Sequence, residues 1–276
     1  MSQLAGEPRV SAVRLMLDLL ARGRTYRYGP HGSQCGDLYL PVGPGPHPVT
    51  VVLHGGSWQK RYGRAVMRGL VGDLVRRGQA VWNVEYRRVG EGGGWPATFA
   101  DVAAAIDHLG ELHAPLDLDA VSVLGHSAGG HLALWAASRG KLPDDAPGAR
   151  PAIALRRAVA LAGVCDLAGA YRRWHGGAAQ LLMEGSPEEL PGRYALADPL
   201  ALAPLAIPVL LVHGPRDETV SIELSYSYLR GANAAGGSVE LVEVLGDAGR
   251  HRAYLNPRGE AWQAAARRLR EPVPAS

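Results

Sequence analysis

Residues 120–138, AVSVLGHSAGGHLALWAAS, contain the pattern that decides the fold. The apolar run at 120–124 predicts a short buried strand, and 128–138 has the composition of a helix. Between them lies the pentapeptide GHSAG, residues 125–129, with small residues around Ser127. A tight strand-to-helix turn leaves no room for larger side chains, and it exposes the serine hydroxyl at the helix N-terminus. The pattern therefore indicates a nucleophilic serine; the alternative is a glycine-rich loop with a capping serine.

Length and composition fit one large α/β domain or two small ones. The chain has 276 residues and a net charge of +3, and its arginines are scattered, so we expect no nucleic-acid partner. Cys35 and Cys165 are too few for a disulfide framework. Residues 10–20 are interrupted by Arg14 and Asp18, which favours an amphipathic helix over a signal peptide or membrane span. We expect a cytoplasmic protein with no membrane partner, and its oligomeric state, homodimer or other, is left open.

Apolar runs alternate with helical stretches from about residue 48 onward. This rhythm is typical of a parallel sheet covered by helices on both faces. The predicted strands are residues 49–53, 80–84, 120–124, 158–162, 208–212 and 239–245. The predicted helices are residues 65–77, 97–112, 128–138 and 257–269. Residues 37–40 fit an edge strand or hairpin arm. We therefore predict a single α/β domain over residues 1–276, with a doubly wound, mostly parallel sheet.

Residues 164–206 interrupt this alternation. They contain several prolines, a pair of glycines at 176 and 177, and only weak periodicity. Ligands of open α/β sheets bind beyond the carboxyl ends of the strands, so an insertion there is a candidate small lid or pocket wall. An ordinary surface excursion is the alternative.

A second glycine-rich motif, HGGSW at residues 54–58, directly follows the strand predicted at 49–53. Glycines at this point let the backbone turn its N–H groups toward a substrate oxygen. With the first N–H of the following helix they would form an oxyanion hole, where one donor typically lowers the barrier by about 3 kcal/mol. The residues assigned to this hole are Gly55, Gly56, Ser57 and Ala128. A Gly-Gly turn that merely closes a βα unit is the alternative.

The acid of the site is predicted from the segment that follows the strand at 208–212. Asp217 would accept the Nδ1 hydrogen of a catalytic histidine and hold its tautomer. Glu218, the adjacent carboxylate, and Asp247 are weaker candidates. Asp198 precedes a proline and is predicted to shape a turn.

The base is predicted on the loop after the last strand. His251 follows the strand at 239–245, and from there it could fold over Ser127 and take its proton. The chain order serine, acid, histidine is the order that this architecture uses. The remaining histidines near these motifs, predicted as structural or oxyanion-loop residues, are His54, His126, His131 and His213.

Candidate substrate-binding residues are mostly aromatic. They are Trp58, Trp95, His126 and Trp174, and for each tryptophan packing is the alternative role. No cluster of His, Cys or Asp has the spacing of metal ligands, and no phosphate-loop or dinucleotide fingerprint is present in the sequence. We therefore expect neither a metal nor a cofactor.

Together these motifs resemble the α/β-hydrolase family, in particular its branch with an HGGxW loop. That branch includes bacterial carboxylesterases, hormone-sensitive-lipase-like esterases and arylformamidases. The resemblance implies the α/β-hydrolase fold and a catalytic triad of Ser127, Asp217 and His251. Two features depart from the family pattern: the loop has two glycines where typical hormone-sensitive-lipase relatives have three, and Arg252 stands where many relatives have an aromatic residue.

The expected function is hydrolysis of a small-molecule carboxylic ester through an acyl-enzyme intermediate, by a carboxylesterase-like serine hydrolase. One alternative is an arylformamidase-type amide hydrolase. Another is a cyclase, dehydratase or acyl-transfer enzyme that uses the same fold. A non-catalytic binding protein on this scaffold is the rival from a different class, but such proteins usually lack one member of the triad.

Overall fold

The sheet is the frame of the molecule. The computed structural model describes residues 23–269, and its eight strands have the order β1-β2-β4-β3-β5-β6-β7-β8. Pairs β1–β2 and β2–β4 are antiparallel and all other pairs are parallel, which confirms the predicted mostly parallel sheet. The strands are β1 Arg24–Arg27, β2 Cys35–Tyr39, β3 His47–Leu53, β4 Ala80–Val84, β5 Leu116–His126, β6 Leu155–Leu161, β7 Val209–His213 and β8 Val239–Glu243.

Helices connect the parallel strands. They are α1 Arg68–Arg76, α2 Ala97–Asp107, α3 Ala128–Ser138, α4 Leu167–Arg173, α5 Gly177–Met183, α6 Pro191–Ala197, α7 Glu223–Ala234 and α8 Glu260–Arg268. Short 3₁₀ turns occupy Arg64–Met67, His108–Glu111, Arg139–Lys141, Gly246–Gly249 and Ala253–Leu255. Within residues 23–269, every helix falls short of the length and apolar content needed to span a bilayer.

Two hydrophobic cores lie on opposite faces of the sheet because side chains alternate along a strand. In β7, Val209 and Leu211 join one core, whereas Leu210 and Val212 join the other. Helices α2, α3 and α7 cover the first face, and α1 and α8 cover the second. Strands buried on both faces read as continuous apolar runs, which is why the central strands were visible in the sequence.

Several predicted boundaries were wrong. The helix expected at 65–77 begins with a 3₁₀ turn, and the helix expected at 97–112 ends in one. Strand β5 begins at Leu116, four residues earlier than predicted. Its first residues alternate leucine with aspartate and are mostly half-buried, so they lie outside the continuous apolar run on which the prediction was based. The last helix begins at Glu260 rather than at 257. The helix expected at residues 10–20 lies outside the described residues.

The backbone of the turn between β5 and α3 packs directly against the backbone at the end of β3, with no space for a side chain between them. A Cβ on Gly129 would lie 2.1 Å from the carbonyl oxygen of Leu53, and one on Gly125 would lie 1.9 Å from the carbonyl oxygen of Gly129. A Cβ on Gly130 would lie 2.8 Å from the Cα of Gly163. Glycine is therefore required here by lack of space, not by an unusual backbone angle.

Residues 164–206 form helices α4, α5 and α6 between β6 and β7. Side chains of α3 hold this segment: His131 Nε2 donates to the carbonyl of Ala197 at 3.0 Å, and Trp135 Nε1 donates to the carbonyl of Leu196 at 2.9 Å. These two donors lie one turn apart on α3 and satisfy carbonyls at the end of α6, which have no intrahelical partner.

Asp198 connects the end of α6 to the start of α4. Its carboxylate accepts the backbone N–H groups of Leu167 and Ala168 at 2.9 Å each, and that of Leu200 at 3.1 Å. Burial raises the pKa of the Asp198 carboxyl to about 6, although the backbone donors oppose this shift. The residue thus shapes a turn, as the sequence predicts, and also begins α4.

Replacing Gly129 should test the crowding at the turn. Gly129→Ala forces a methyl group against the Leu53 carbonyl, so we expect a loss of about 3 kcal/mol of unfolding free energy or failure to fold. Gly140→Ala is the matched control, because a Cβ there meets nothing within 4 Å. Urea unfolding of both variants is the measurement; equal stabilities would contradict the packing argument.

The Asp198 carboxyl should make stability fall as pH rises. Between about pH 4 and pH 6 the unfolded chain loses this proton before the folded chain does, so folding becomes less favourable. Asp198→Asn should remove this slope and gain roughly 2–3 kcal/mol relative to the wild type between pH 4 and pH 7. Urea unfolding at pH 4 and at pH 7 measures this change. The prediction is refuted if the unfolding free energies of the two proteins depend on pH in the same way.

Candidate active site

Ser127 lies at the carboxyl end of β5, directly before α3. Its backbone has φ 56° and ψ −119°, a left-handed conformation that is rare for a residue other than glycine. The Ser127 N–H donates to the carbonyl of Leu161 on β6 at 2.9 Å. The next N–H, that of Ala128, is in the first turn of α3 and has no intrahelical acceptor. Strain at this turn thus presents a hydroxyl beside an open donor.

The HGGSW loop packs directly against this turn. A Cβ on Gly55 would lie 2.7 Å from the carbonyl oxygen of His126 and 3.0 Å from Cβ of Ser127. Gly56 has φ 118°, and the two residues after it also have positive φ, 54° at Ser57 and 55° at Trp58. Three consecutive left-handed residues make a tightly curled loop next to the predicted nucleophile, which is the arrangement that an oxyanion hole requires.

A buried ion-pair network anchors the loop. His54 Nε2 lies 2.8 Å from Oε1 of Glu85, and its Nδ1 lies 2.8 Å from the carbonyl oxygen of Gly55. The Tyr86 hydroxyl donates to the carbonyl of His54 at 2.7 Å, and the Tyr86 and His54 rings stack at 4.3 Å. Because C=O and N–H groups of a trans peptide point in opposite directions, holding the Gly55 carbonyl toward His54 turns the Gly56 N–H away from it.

Charge keeps this anchor in place. Burial alone would raise the pKa of the Glu85 carboxyl, but its hydrogen bond with His54 and the nearby Arg88 guanidinium outweigh burial and lower it. Glu85 therefore stays ionised beside His54. The sequence analysis did not give Glu85 a role, although its position directly after β4, at the edge where the other motifs gather, was a usable signal.

The structure brings Asp217 and His251 together from two loops. His251 Nδ1 donates to Oδ2 of Asp217 at 2.8 Å, and Oδ1 accepts the N–H groups of Thr219 and Val220 at 2.9 Å each. His213 Nε2 lies 3.5 Å from Oδ2. Burial would raise the pKa of Asp217, but these imidazole hydrogen bonds and backbone donors overcome it and hold the pKa far below the ordinary value. Asp217 is thus a permanent carboxylate facing an imidazole N–H.

The rival carboxylates lie elsewhere. Asp247 is exposed and pairs with Arg216 at 3.1 Å and Arg250 at 3.0 Å. Glu218 is also exposed and lies 3.5 Å from Arg250. Neither contacts His251 within the described residues, so the geometry favours Asp217 as the partner of the histidine.

His126 links the His251 loop to the serine turn. Its Nε2 donates to the carbonyl oxygen of His251 at 2.9 Å, and the two rings lie 4.6 Å apart. Within residues 23–269, no direct hydrogen bond joins His251 to the Ser127 hydroxyl; such bonds often tighten only once substrate is bound. His251 is therefore brought to the serine turn by its main chain and to Asp217 by its ring.

A cavity of about 260 Å³ opens over Ser127. It is lined by Ser57, Trp58, Ser127, Ala128, Val164, Trp174, Gly177, Ala178, Thr219 and Val220. Four of these, Val164, Trp174, Gly177 and Ala178, belong to the 164–206 segment, so that segment supplies part of the wall. Thr219 and Val220 were not predicted as lining residues, because neither has a side chain that signals a binding role. Val164 lies at the start of the segment predicted as a lid or pocket wall.

The other aromatic candidates differ in position. Trp58 and Trp174 line the cavity, whereas Trp95 packs against Phe99 at 5.1 Å and is not among the lining residues. His126 is buried behind the turn. The Trp58 indole Nε1 is buried without a hydrogen-bond partner.

Cys35 and Cys165 are buried free thiols, and burial raises the pKa of the Cys165 thiol to about 12. Among the described residues, no group of three His, Cys, Asp or Glu side chains could hold a metal ion.

Comparison with known proteins places these features in context. Esterase LipQ of Mycobacterium tuberculosis is 29% identical over 222 residues, which are 75% of this chain and 52% of that protein. The chain thus spans about half the length of this curated relative.

Two solved structures show the shared fold. A truncated carbohydrate esterase from gut microbiota has a TM-score of 0.77 at 19% identity, covering 90% of this chain and 96% of that one. A thermophilic esterase from the Planctomycetes species Thermogutta terrifontis, with propionate bound, has a TM-score of 0.70 at 24% identity, covering 89% and 91%. The sequence pattern of the BD-FAE family matches residues 37–230. Since that match takes in well over half of the chain, and the sheet has the α/β-hydrolase arrangement, this protein belongs to the BD-FAE family.

Proposed function

We propose that this protein is a serine hydrolase that cleaves small-molecule carboxylic esters through an acyl-enzyme at Ser127. The observation that carries the proposal is the 2.8 Å hydrogen bond from His251 to a buried carboxylate, on a loop tied to the turn that holds Ser127. An imidazole oriented in this way can act as a general base, and the serine on the strained turn lines the cavity, where its hydroxyl can attack a carbonyl.

The chemistry follows from the donors and acceptors. Asp217 holds the Nδ1 hydrogen of His251, which leaves Nε2 free to take the Ser127 proton as the hydroxyl oxygen attacks the ester carbonyl. The ionised Asp217 stabilises the imidazolium that forms. His251 then protonates the leaving alcohol, and a water molecule, deprotonated by the same imidazole, releases the acid from Ser127.

Negative charge develops on the substrate oxygen during each attack. The Ala128 N–H, at the start of α3, and the N–H groups of the curled loop at Gly56 and Ser57 are the proposed donors to that oxygen. The helix N-terminus adds a favourable partial positive charge. The Glu85–His54 anchor keeps the loop from relaxing, so the donors need no rearrangement during the reaction.

The cavity supports a modest acyl or alcohol group. Its walls are mainly apolar, with Trp58 and Trp174 as the largest surfaces and Ser57 and Thr219 as the polar groups. The relative in Mycobacterium tuberculosis is named an esterase, and the solved relatives include esterases with propionate and butyrate bound. We propose that the segment at 164–206 serves as a pocket wall.

The free, buried thiols support a cytoplasmic location.

The function is tested by comparing ester and amide substrates. The purified protein should hydrolyse short-acyl p-nitrophenyl esters faster than N-formylkynurenine and should be labelled by a fluorophosphonate probe. Ser127→Ala should lose at least about 10³-fold in kcat and all labelling, with an unchanged melting temperature, because only the nucleophile is removed.

Ser122→Ala on the same strand is the matched control, since Ser122 does not line the cavity, and it should keep full activity. A wild type that folds but neither turns over an ester nor takes the label would overturn the assignment in favour of a binding protein. Faster cleavage of the formyl amide would move the protein to the arylformamidase alternative.

The identity of the acid is tested by two amide substitutions. Asp217→Asn replaces the acceptor of the His251 Nδ1 hydrogen, so kcat should fall by roughly 10²–10⁴-fold with a small residual activity. Asp247→Asn removes an exposed carboxylate that pairs with arginines, and its kcat should stay within about two-fold of the wild type. Steady-state kinetics on one ester measures both. Loss of activity in Asp247→Asn with a silent Asp217→Asn would reverse the roles.

A further inference from the structure

His126 touches all three parts of the proposed site. It immediately precedes Ser127, its Nε2 lies 2.9 Å from the carbonyl oxygen of His251, and a Cβ on Gly55 would lie 3.1 Å from its Nδ1. The side chain is buried, with only 5% of the residue exposed. No part of the proposed chemistry needs an ionisable group at this position, so its contacts require an explanation.

The hydrogen bond defines the tautomer of His126. A carbonyl oxygen can only accept, so Nε2 must carry the hydrogen. Burial, and after it the electrostatic effect of the neighbouring His251 imidazole, lowers the pKa of His126 to about 3. The imidazole therefore stays neutral, with its single N–H committed to the His251 carbonyl over the whole working range of pH.

His251 needs such a support because it lies in irregular structure. It follows the 3₁₀ turn Gly246–Gly249, outside any strand or helix of the sheet. Among residues 23–269 its ring makes one hydrogen bond, the 2.8 Å bond from Nδ1 to Asp217, and packs 4.6 Å from the His126 ring. One such bond leaves the imidazole free to pivot about the bonded atom, whereas a second point of attachment on the main chain removes that freedom.

We propose that His126 is a positioning residue that fixes the main chain of His251 against the turn carrying Ser127. This inference rests on the proposed hydrolase function and names an additional residue on which the rate depends. His126 also lies beside Gly55, so it could instead act on the oxyanion loop. The two routes differ in one respect: positioning of His251 can affect the rate only while residue 251 is a histidine.

Substitutions at 126 test the donor. His126→Gln keeps an amide N–H that reaches the position of Nε2, whereas His126→Asn is polar but too short to reach the carbonyl. We expect kcat of the Asn variant to fall by about 10²-fold with KM within a few-fold, since a small misplacement of a catalytic group costs that much, and we expect the Gln variant to recover most of the rate. His113→Leu, at an exposed histidine, should behave as wild type, and His126→Leu should match Asn if it folds.

A double-mutant cycle separates positioning from a merely structural role. In a His251→Ala background, the residual rate should be unchanged when His126→Asn is added, because the group that it positions is absent. Further slowing in that background would overturn the inference and indicate action through the oxyanion loop or the fold. Full activity of His126→Asn, or no recovery by Gln, would also overturn it.

The failure of this inference is distinguishable from failure of the proposed function. A wild type without esterase activity or fluorophosphonate labelling removes the function itself. If the wild type is active and labelled but the His126→Asn and His126→Gln variants have the same kcat, the proposed function stands and only the positioning role is refuted. Melting temperatures of all variants exclude loss of folded protein as the cause.

Discussion

Backbone-to-backbone contact between the start of α3 and the end of β3 is the constraint on which the site depends. Gly129 leaves no space for a side chain beside the Leu53 carbonyl, and Gly55 leaves none beside the turn at Ser127. Two loops that follow neighbouring strands are thereby pressed together. In the proposed mechanism, this close packing brings the N–H donors of one loop and the hydroxyl of the other within reach of a single substrate carbonyl.

Around this contact the charges are arranged in closed, hydrogen-bonded sets. Glu85 is satisfied by His54 and by arginine, and Asp217 accepts hydrogen bonds from the His251 imidazole and from two backbone N–H groups. Buried carboxylates are costly unless their acceptors are used, and here each ionised group holds a loop in place. The same hydrogen bonds therefore keep these carboxylates ionised and hold the loops of the site in place.

The segment that lines part of the cavity is hydrogen-bonded to helix α3. His131 and Trp135 of α3 donate to the end of α6, and Asp198 passes this connection on to the start of α4. Helix α3 thus carries Ser127 at its N-terminus and supports part of the pocket wall through its side chains. A change in α3 packing should therefore shift both Ser127 and the pocket wall.

The sequence by itself determined the parallel strands, the strand-to-helix turn at Ser127 and the glycine-rich HGGSW loop, because the residues that form each of these features are adjacent along the chain. It also indicated Asp217 and His251, since the carboxyl ends of parallel strands meet at one edge. Only the tertiary structure decided which carboxylate faces the imidazole, that Glu85 anchors the loop, and that His126 reaches the His251 carbonyl. Those contacts join residues up to 125 positions apart, and a bond of that separation leaves no local pattern to read.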